Sequence, residues 1–305
     1  MKLLAGSVVR GTRQDDSQGG LYLIDLESQS VRQVLDYNNS DIVWNNRGRE
    51  HGLRGIAFDG DTIYCVASDE LFAFDSEFKL LQSWRNSYLK YCRGLVVYER
   101  KLFVVSSGFD SILGFDLEAK KFDWALQILT REFAIGAHPF DPNSDEGPMM
   151  VPKLDLRDIY CDASGMYITS ESGLLRFAGR SINIAVELPP QSRNARPYRD
   201  GVLFNDSAAG KVRYAGRGEG EDDRSIAIPR SDEATIRHRD LCDDSLAIAG
   251  FARGLSLVGD SVVAAGSSPS TITVYDLAAN KTTLSVELMR DARSSIHGLE
   301  VWPFD

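Results

Sequence analysis

The stretch Arg54-Gly55-Ile56-Ala57-Phe58 decides the fold, because closely similar stretches recur along the chain. A Gly-Asp turn and the apolar run Thr62-Ile63-Tyr64-Cys65-Val66 follow it, and two short apolar runs around a turn are typical of a β-hairpin. Further copies of this pattern begin at Arg93, Arg157, Arg199, Arg253 and His297. Five copies of one hairpin, and a sixth copy of its first strand at His297, indicate a repeat architecture.

A second pattern follows each hairpin: an apolar strand that closes on Asp or a small residue, then a polar turn and one more strand. Its clearest copies are Leu21-Tyr22-Leu23-Ile24-Asp25, Leu71-Phe72-Ala73-Phe74-Asp75, Ile112-Leu113-Gly114-Phe115-Asp116 and Ile272-Thr273-Val274-Tyr275-Asp276. Each repeat therefore holds four short strands, which we call A to D. No segment with a 3.6-residue period is long enough to cover a parallel sheet. The sequence predicts an all-β, six-bladed β-propeller with four antiparallel strands per blade.

The two ends of the chain complement each other. The last copy, at His297, has strand A alone, whereas the N-terminal segments 7–10, 21–25 and 31–35 supply strands B, C and D. Joining them completes one blade and leaves no open sheet edge. We therefore expect a single propeller domain over 1–305, closed by the C-terminal strand A and the N-terminal strands B to D.

The composition excludes several classes of protein. Of 305 residues, 43% are hydrophobic, and 34 basic against 44 acidic side chains give a net charge of −10, which argues against a large nucleic-acid-binding face. No apolar run reaches the roughly 18 residues of a membrane span, and we expect no signal peptide. The four cysteines are scattered, so a reduced, cytoplasmic protein is expected. No nucleotide-binding loop is present, and no cofactor is predicted.

The blade pattern resembles that of the six-bladed propeller superfamily, in particular its NHL-like and gluconolactonase-like group. The glycine followed by an apolar residue at the start of strand A, as in Gly94-Leu95 and Gly254-Leu255, is also similar to glutamine cyclotransferases. The resemblance extends over the whole chain. It implies the propeller fold, and a shared fold by itself implies no activity.

Three connections between a strand D and the next strand A are longer than the others: about 36–50, 130–153 and 230–250. Long loops in compact domains are usually functional or disordered. In a propeller these connections emerge on the face that carries the channel mouth. We expect the three insertions to form walls or lids around that mouth.

The leading residue of each repeat is a cation: Arg54, Arg93, Arg157, Arg199, Arg253 and, in the sixth, His297. Pseudo-symmetry predicts that the six side chains surround one opening. Two like charges about 8 Å apart repel by roughly 2 kcal/mol at an effective dielectric constant of about 20, so counter-charges are needed. Glu171 and Asp206 are candidates within the protein. Arginine also suits bidentate recognition of carboxylate, phosphate or sulfate, so we interpret the ring as a site for a small anionic molecule. The alternative is a structural ring that pairs with neighbouring strands.

All four histidines map to the same expected face. His297 lies in the ring and His51 lies three residues before Arg54, and both are candidate catalytic groups for proton transfer. His138 and His238 lie in the long connections and are candidate substrate contacts. A histidine-ligated metal is a further alternative, although no close ligand spacing is present and we assign no metal ligand.

Two main hypotheses follow. The first is an enzyme (a lyase, isomerase or hydrolase) that holds a small anionic organic substrate in an arginine-lined pocket. The second is a non-catalytic module that binds an acidic peptide or a partner protein, because aromatic and Met side chains are enriched at interfaces. The residues of that interface would be Trp44, Phe133, Phe140 and Met149.

Overall fold

The computed structural model describes residues 1–11, 19–37, 52–131, 134–217, 223–240 and 250–304. In these ranges the chain forms 25 β-strands arranged in six antiparallel sheets. Five of these sheets hold strands in chain order, four in each and a fifth in one of them, and the sixth holds the last strand of the chain followed by the first three. The chain is therefore an all-β, six-bladed β-propeller, and the fold predicted from the repeats is confirmed.

The chain divides into two compact units, described separately below: Met1–Ile56 with Pro197–Asp305 (the first unit) and Ala57–Arg196 (the second unit). Three sheets belong mainly to the first unit. They are β25 (Ser294–Val301) with β1 (Lys2–Val9), β2 (Gly20–Asp25) and β3 (Ser30–Asp36); β17 (Ser192–Tyr198), β18 (Gly201–Asp206), β19 (Lys211–Gly216) and β20 (Arg224–Ala227); and β21 (Arg253–Leu257), β22 (Val262–Ser267), β23 (Thr271–Asp276) and β24 (Lys281–Glu287).

The other three sheets belong mainly to the second unit. They are β4 (Gly55–Asp59), β5 (Thr62–Val66), β6 (Glu70–Phe74) and β7 (Leu80–Arg85); β8 (Cys92–Tyr98), β9 (Lys101–Ser106), β10 (Ser111–Asp116), β11 (Lys121–Arg131) and β12 (Ala134–Phe140); and β13 (Asp158–Asp162), β14 (Gly165–Ser170), β15 (Gly173–Ala178) and β16 (Ser181–Val186). Helical structure in the described ranges includes the 3₁₀ turns Ser107–Phe109 and Glu233–Thr235, and no helix there is long and apolar enough to cross a membrane.

The C-terminal strand completes the N-terminal blade. β25 pairs antiparallel with β1, from Leu3 opposite Val301 to Val9 opposite Ser294, and β2 and β3 follow outward. Backbone hydrogen bonds therefore join residues almost 300 positions apart in the sequence. This pairing confirms the predicted blade made of strand A from one end and strands B to D from the other.

The hydrophobic core lies between the sheets of each unit. The inner and middle strands are buried on both faces, as in β6 and β10, whereas the outermost strands β3 and β24 are mostly exposed. This explains why strands B and C read as continuous apolar runs instead of alternating ones. In the second unit the core includes Tyr64, Phe115 and neighbouring aliphatic side chains.

Part of the connection 130–153 differs from the expected loop. β12 pairs with β11 from Ala125 opposite Phe140 to Arg131 opposite Ala134, and so adds a fifth strand at the outer edge of its sheet. The segment that follows is fastened by Tyr88, whose hydroxyl donates to the Ser144 carbonyl (2.6 Å) and accepts the Gly147 N–H (2.7 Å). Backbone hydrogen bonds form this hairpin, although the β12 side chains are only partly buried or exposed.

Glycines near the start of strand A allow neighbouring first strands to approach closely. A Cβ on Gly298 would lie 2.2 Å from the Arg54 carbonyl oxygen, and one on Gly94 would lie 2.1 Å from an Asp158 carboxylate oxygen. Gly254 has φ +72°, a conformation that other residues rarely adopt. These positions therefore require a glycine, either for the close approach or for the backbone conformation.

We therefore expect Gly298→Ala to destabilise the protein by about 1–3 kcal/mol, because the new methyl group must displace backbone from the Arg54 carbonyl. Gly259→Ala is the matched control, since the nearest atom to its Cβ would be 3.9 Å away. Chemical denaturation of both variants measures the difference in unfolding free energy. Equal stability of the two variants would contradict the close approach.

Candidate functional site

Three first strands carry a β-bulge at the position of the repeated cation. In β8 the bulge falls at Arg93-Gly94, in β21 at Gly254, and in β25 at His297. A bulge places two residues opposite one and re-aims a side chain out of the regular alternation of a strand. The repeated cation and the small residue after it thus lie at a local irregularity of the strand backbone. These two residues occupy equivalent positions in their respective sheets.

In the second unit, two of these arginines share one carboxylate. Asp155 Oδ1 lies 3.1 Å from an Arg93 guanidinium nitrogen, and Asp155 Oδ2 accepts hydrogen bonds from Arg157 Nε and lies 2.9 Å from its Nη2. Asp155 precedes β13 and has φ 44°. Sequence reasoning did not select Asp155, because it stands two residues before the repeat begins.

Arg157 is held by contacts with two carboxylates and a backbone carbonyl. Its side chain is only 4% exposed, it also pairs with Glu171, and its Nη1 donates to the Ser192 carbonyl at 3.1 Å. Removing one partner of a buried ion pair leaves an uncompensated charge, which is strongly destabilising. For Arg157 and Glu171 these contacts match the structural interpretation of the ring: a cation that ties neighbouring segments together.

The pKa values of two carboxyl groups beside these arginines are shifted in opposite directions. Burial alone would raise the pKa of Asp155, but the charges of Arg93 and Arg157 outweigh it and lower the pKa below 3.8. At Asp158, burial dominates and raises the pKa, although the carboxylate accepts a hydrogen bond from Asn194 (2.6 Å) and lies near Arg196. Two neighbouring carboxyl groups in this part of the site therefore have pKa values shifted in opposite directions.

The position assigned to Arg199 needs correction. Arg199 and Asp200 form the turn after strand A, and the Arg199 guanidinium is exposed, donates to the Asp260 carbonyl at 2.9 Å and lies 5.2 Å from the Tyr198 ring. The first strand of this sheet is β17, which is polar and contains Pro197, so it did not stand out as an apolar run.

The residue of β17 that corresponds to the repeated cation is Arg193. The next residue, Asn194, has φ 53°, matching the φ of +72° at Gly254, and Asn is the residue that best tolerates this conformation after Gly. Like Arg93 and Arg253, Arg193 has a buried Nε atom. The sequence signal for this position is the pair Arg193-Asn194, which stands where other repeats have Arg-Gly.

In the first unit, Arg253, the first residue of β21, lies beside His297, which is at the bulge within β25. The nearest contact joins Arg253 Nη1 to His297 Nε2 at 2.6 Å, and the guanidinium carbon lies 4.9 Å from the centre of the Phe251 ring. Ser295 Oγ lies 3.0 Å from His297 Nε2. A guanidinium only donates hydrogen bonds, so the imidazole nitrogen that it contacts carries a lone pair. Arg54, also in this unit, is buried, with 5% of its surface exposed.

The structure separates the two histidines of the long connections. His138 lies on β12, opposite Gln127, and is exposed at the sheet edge farthest from β8 and Arg93. It is therefore not beside the repeated cation of its own sheet, because the hairpin carries it to the outer edge. His238 Nδ1 lies 3.1 Å from Asp291 Oδ2, in the segment that leads into β25.

Two further residues that the sequence predicted for the site are Asp206 and His51. Asp206 is buried and is the last residue of β18: one carboxylate oxygen accepts the Ala209 N–H in the turn that follows, and the other lies 3.2 Å from Arg213. His51 lies outside the described residues, as do Trp44 and Phe133 of the expected interface. Phe140 is partly buried against the Tyr88 ring, with 5.0 Å between ring centres.

The described part of the chain contains no group of three or more His, Cys, Asp or Glu side chains placed to hold a metal ion. The convergence of all six leading side chains on one opening stays a prediction.

Comparison with known proteins defines the class of this chain by its fold. No protein-family model and no curated protein matches it. A chain from the crystal structure of the nidogen–laminin complex is similar, with a TM-score of 0.59, 11% identity and 98% of each chain covered.

Two other solved structures are similar over most of the chain. A protein of unknown function from Bacteroides caccae gives a TM-score of 0.57 at 12% identity, covering 98% of this chain and 97% of that one. Apo AztD from Citrobacter koseri gives 0.50 at 12% identity, covering 95% and 83%. At these identities the likeness shows the shared fold alone, and the chain is a six-bladed β-propeller of no specific family.

We expect Asp155→Asn to destabilise the protein by about 1–3 kcal/mol at neutral pH, because buried donors of Arg157 lose their acceptor. The pKa of Asp155 is lower in the folded protein than in the unfolded chain. Its ionisation therefore stabilises the fold fully above about pH 4, and this stabilisation is lost as the pH falls through the folded pKa.

Unfolding free energies of the wild type and Asp155→Asn at pH 7 and pH 3 check this expectation, and the difference between the two proteins should shrink at pH 3. Asp123→Asn serves as the control, since the Asp123–Lys101 pair is about one-third exposed on each side. A loss at Asp123 as large as that at Asp155 would refute the special role of the shared carboxylate.

Proposed function

We propose that this protein is an enzyme that binds a small anionic organic molecule through Arg253 and transfers a proton with a histidine of the same unit. The observation that carries the proposal is the placement of Arg253, whose guanidinium lies between the Phe251 ring (4.9 Å) and His297 (2.6 Å). Both contacts orient the guanidinium. A pre-oriented guanidinium is suited to bidentate binding of carboxylate, phosphate or sulfate.

The contrast with Arg157 supports this assignment. Arg157 is held by Asp155 and Glu171, two carboxylates of the protein itself, so its charge is balanced in the fold. Arg253 lies at a bulge whose backbone directs its side chain away from the regular strand pattern. We therefore assign recognition of an external anion to Arg253 and a supporting role to Arg157.

The reaction classes that fit are those driven by proton transfer: lyase, isomerase or hydrolase chemistry on the bound anion. General acid–base catalysis by histidine typically contributes about 10²–10⁴-fold to such rates. Arg253 would hold the anionic group, and a nearby imidazole would move the proton. No nucleotide cofactor enters this scheme.

A second candidate function is a binding module for a partner protein. It is favoured by the consecutive side chains Met149, Met150 and Val151, which are 81%, 49% and 59% exposed in the second unit. Met is enriched at interfaces because its flexible side chain adapts to a partner. Under this alternative, Met149→Glu would prevent complex formation with a co-purifying partner and would leave anion binding unchanged.

We expect Arg253→Ala to weaken binding of a small dianion at least about ten-fold, since a charge-assisted hydrogen bond contributes about 1.5–3 kcal/mol. Isothermal titration calorimetry with inorganic phosphate, sulfate and malonate as probes measures the loss. Arg253→Lys should retain part of the affinity, because the charge remains while the planar fork is lost.

Arg199→Ala is the control for removing one positive charge, because Arg199 is exposed in a turn. It should bind the probes as the wild type does. Thermal melting of each variant separates loss of binding from loss of folding. Identical affinities of the Arg253→Ala and Arg199→Ala variants would refute the proposal.

A further inference from the structure

The segment 233–239 docks against the residues that lead into β25, all within the first unit. Arg237 and Asp291 form a parallel bridge, in which the Arg237 N–H donates to the Arg290 carbonyl (2.9 Å) and the Ala292 N–H donates to the Arg237 carbonyl (3.0 Å). His238 follows directly, with φ 58°, and its Nδ1 lies 3.1 Å from Asp291 Oδ2. Backbone and side-chain contacts together therefore hold the imidazole against this carboxylate.

Asp291 is built into the fold as an ionised group. It is 7% exposed, and Arg293 contacts both of its oxygens through Nε (3.1 and 3.3 Å) and donates to Oδ2 through Nη2 (2.9 Å). Burial alone would raise the pKa of Asp291, but the hydrogen bonds and charge of Arg293 outweigh it and keep the pKa below its usual value. An ionised carboxylate accepts hydrogen bonds and cannot donate them.

We propose that His238 and Asp291 form the proton-transfer pair of this protein. Because Asp291 only accepts, His238 Nδ1 must carry the hydrogen, and in the neutral imidazole the lone pair is then on Nε2. The His238 side chain is 44% exposed. A carboxylate that orients an imidazole in this way also stabilises the imidazolium that forms after proton uptake.

His297 is the other histidine of the first unit that the structure describes. It is less suited than His238 to accept a proton from a substrate. Its Nε2 lies 2.6 Å from Arg253 Nη1 and 3.0 Å from Ser295 Oγ, so the lone pair on that nitrogen is engaged by a guanidinium. A base in that position would have to accept a proton beside a fixed positive charge. We assign to His297 the role of orienting Arg253.

The step itself is a balanced proton transfer. His238 Nε2 takes a proton from a C–H or O–H group next to the anionic group of the substrate, and the electron pair of that bond stays on the substrate. The imidazolium then returns the proton to another atom of the same molecule, so no further reactant is consumed. This assignment rests on the proposed function for the substrate class, whereas the reactivity of the pair can be measured without it.

The pair lies near the start of β25, the strand that carries Ser295 and His297. Four residue steps separate Asp291 from Ser295, which limits their Cα separation to about 14 Å. The turn between them shortens this path, since the Ser294 N–H donates to the Asp291 carbonyl at 2.9 Å. The pair therefore lies on the segment that leads directly into the strand carrying His297, the residue that contacts Arg253.

Two measurements test the pair. In the wild-type protein, ¹⁵N-resolved NMR of the imidazole groups should show a hydrogen on Nδ1 of His238 that is hydrogen-bonded to the Asp291 carboxylate. Hydrolysis of p-nitrophenyl acetate, a general probe of nucleophilic imidazole, should lose most of its protein-catalysed rate in His238→Asn. Asn is chosen because it tolerates the left-handed backbone at position 238.

His138→Asn is the matched control: His138 is also exposed, and its strand position gives it no role in the pair. The control should keep nearly all of the rate. A hydrogen on Nε2 of His238 in the wild type, or equal losses in the two variants, would overturn the proposal. Anion binding by calorimetry is independent: His238→Asn should still bind phosphate, so failure of the Arg253 site and failure of the pair give different results.

Discussion

The fold depends on the pairing of β25 with β1. Without this ladder the N-terminal blade would lack its first strand, and both β1 and the last repeat would expose unpaired backbone groups. The pairing brings together residues from the two ends of the chain, so loop-closure entropy opposes it and the remaining blades must favour it. The bulge at His297 is part of the same strand, which couples chain closure to the placement of a candidate site residue.

The repeated cations fall into two physical groups. In the second unit, Arg93 and Arg157 share Asp155, and Glu171 also pairs with Arg157, whose side chain is 4% exposed. In the first unit, Arg253 contacts an aromatic ring and an imidazole. The same position in the repeat therefore has carboxylate partners in two blades and aromatic and imidazole contacts in another.

The site could be predicted only in part, for reasons that particular residues make clear. Arg93 and Arg253 were identifiable because an apolar strand follows each and a Gly marks the bulge. Arg193 was missed because Asn194 replaces the Gly and Pro197 interrupts the strand, so Arg199 was selected six residues too late. Asp155 and Asp291 lie outside the repeated pattern, and each became visible only through the cation that contacts it.

The amino-acid sequence by itself determined the blade architecture, since paired apolar runs, turn residues and a recurring Arg-Gly step are local signals that repeat. It also determined how the chain ends combine, because an isolated strand A and an isolated set of strands B to D complement each other. The tertiary structure alone decided which side chains meet: Arg253 with His297, Arg157 with Asp155, and His238 with Asp291. These contacts depend on bulges and on loops that dock on distant segments, and such geometry leaves no periodic trace in the sequence.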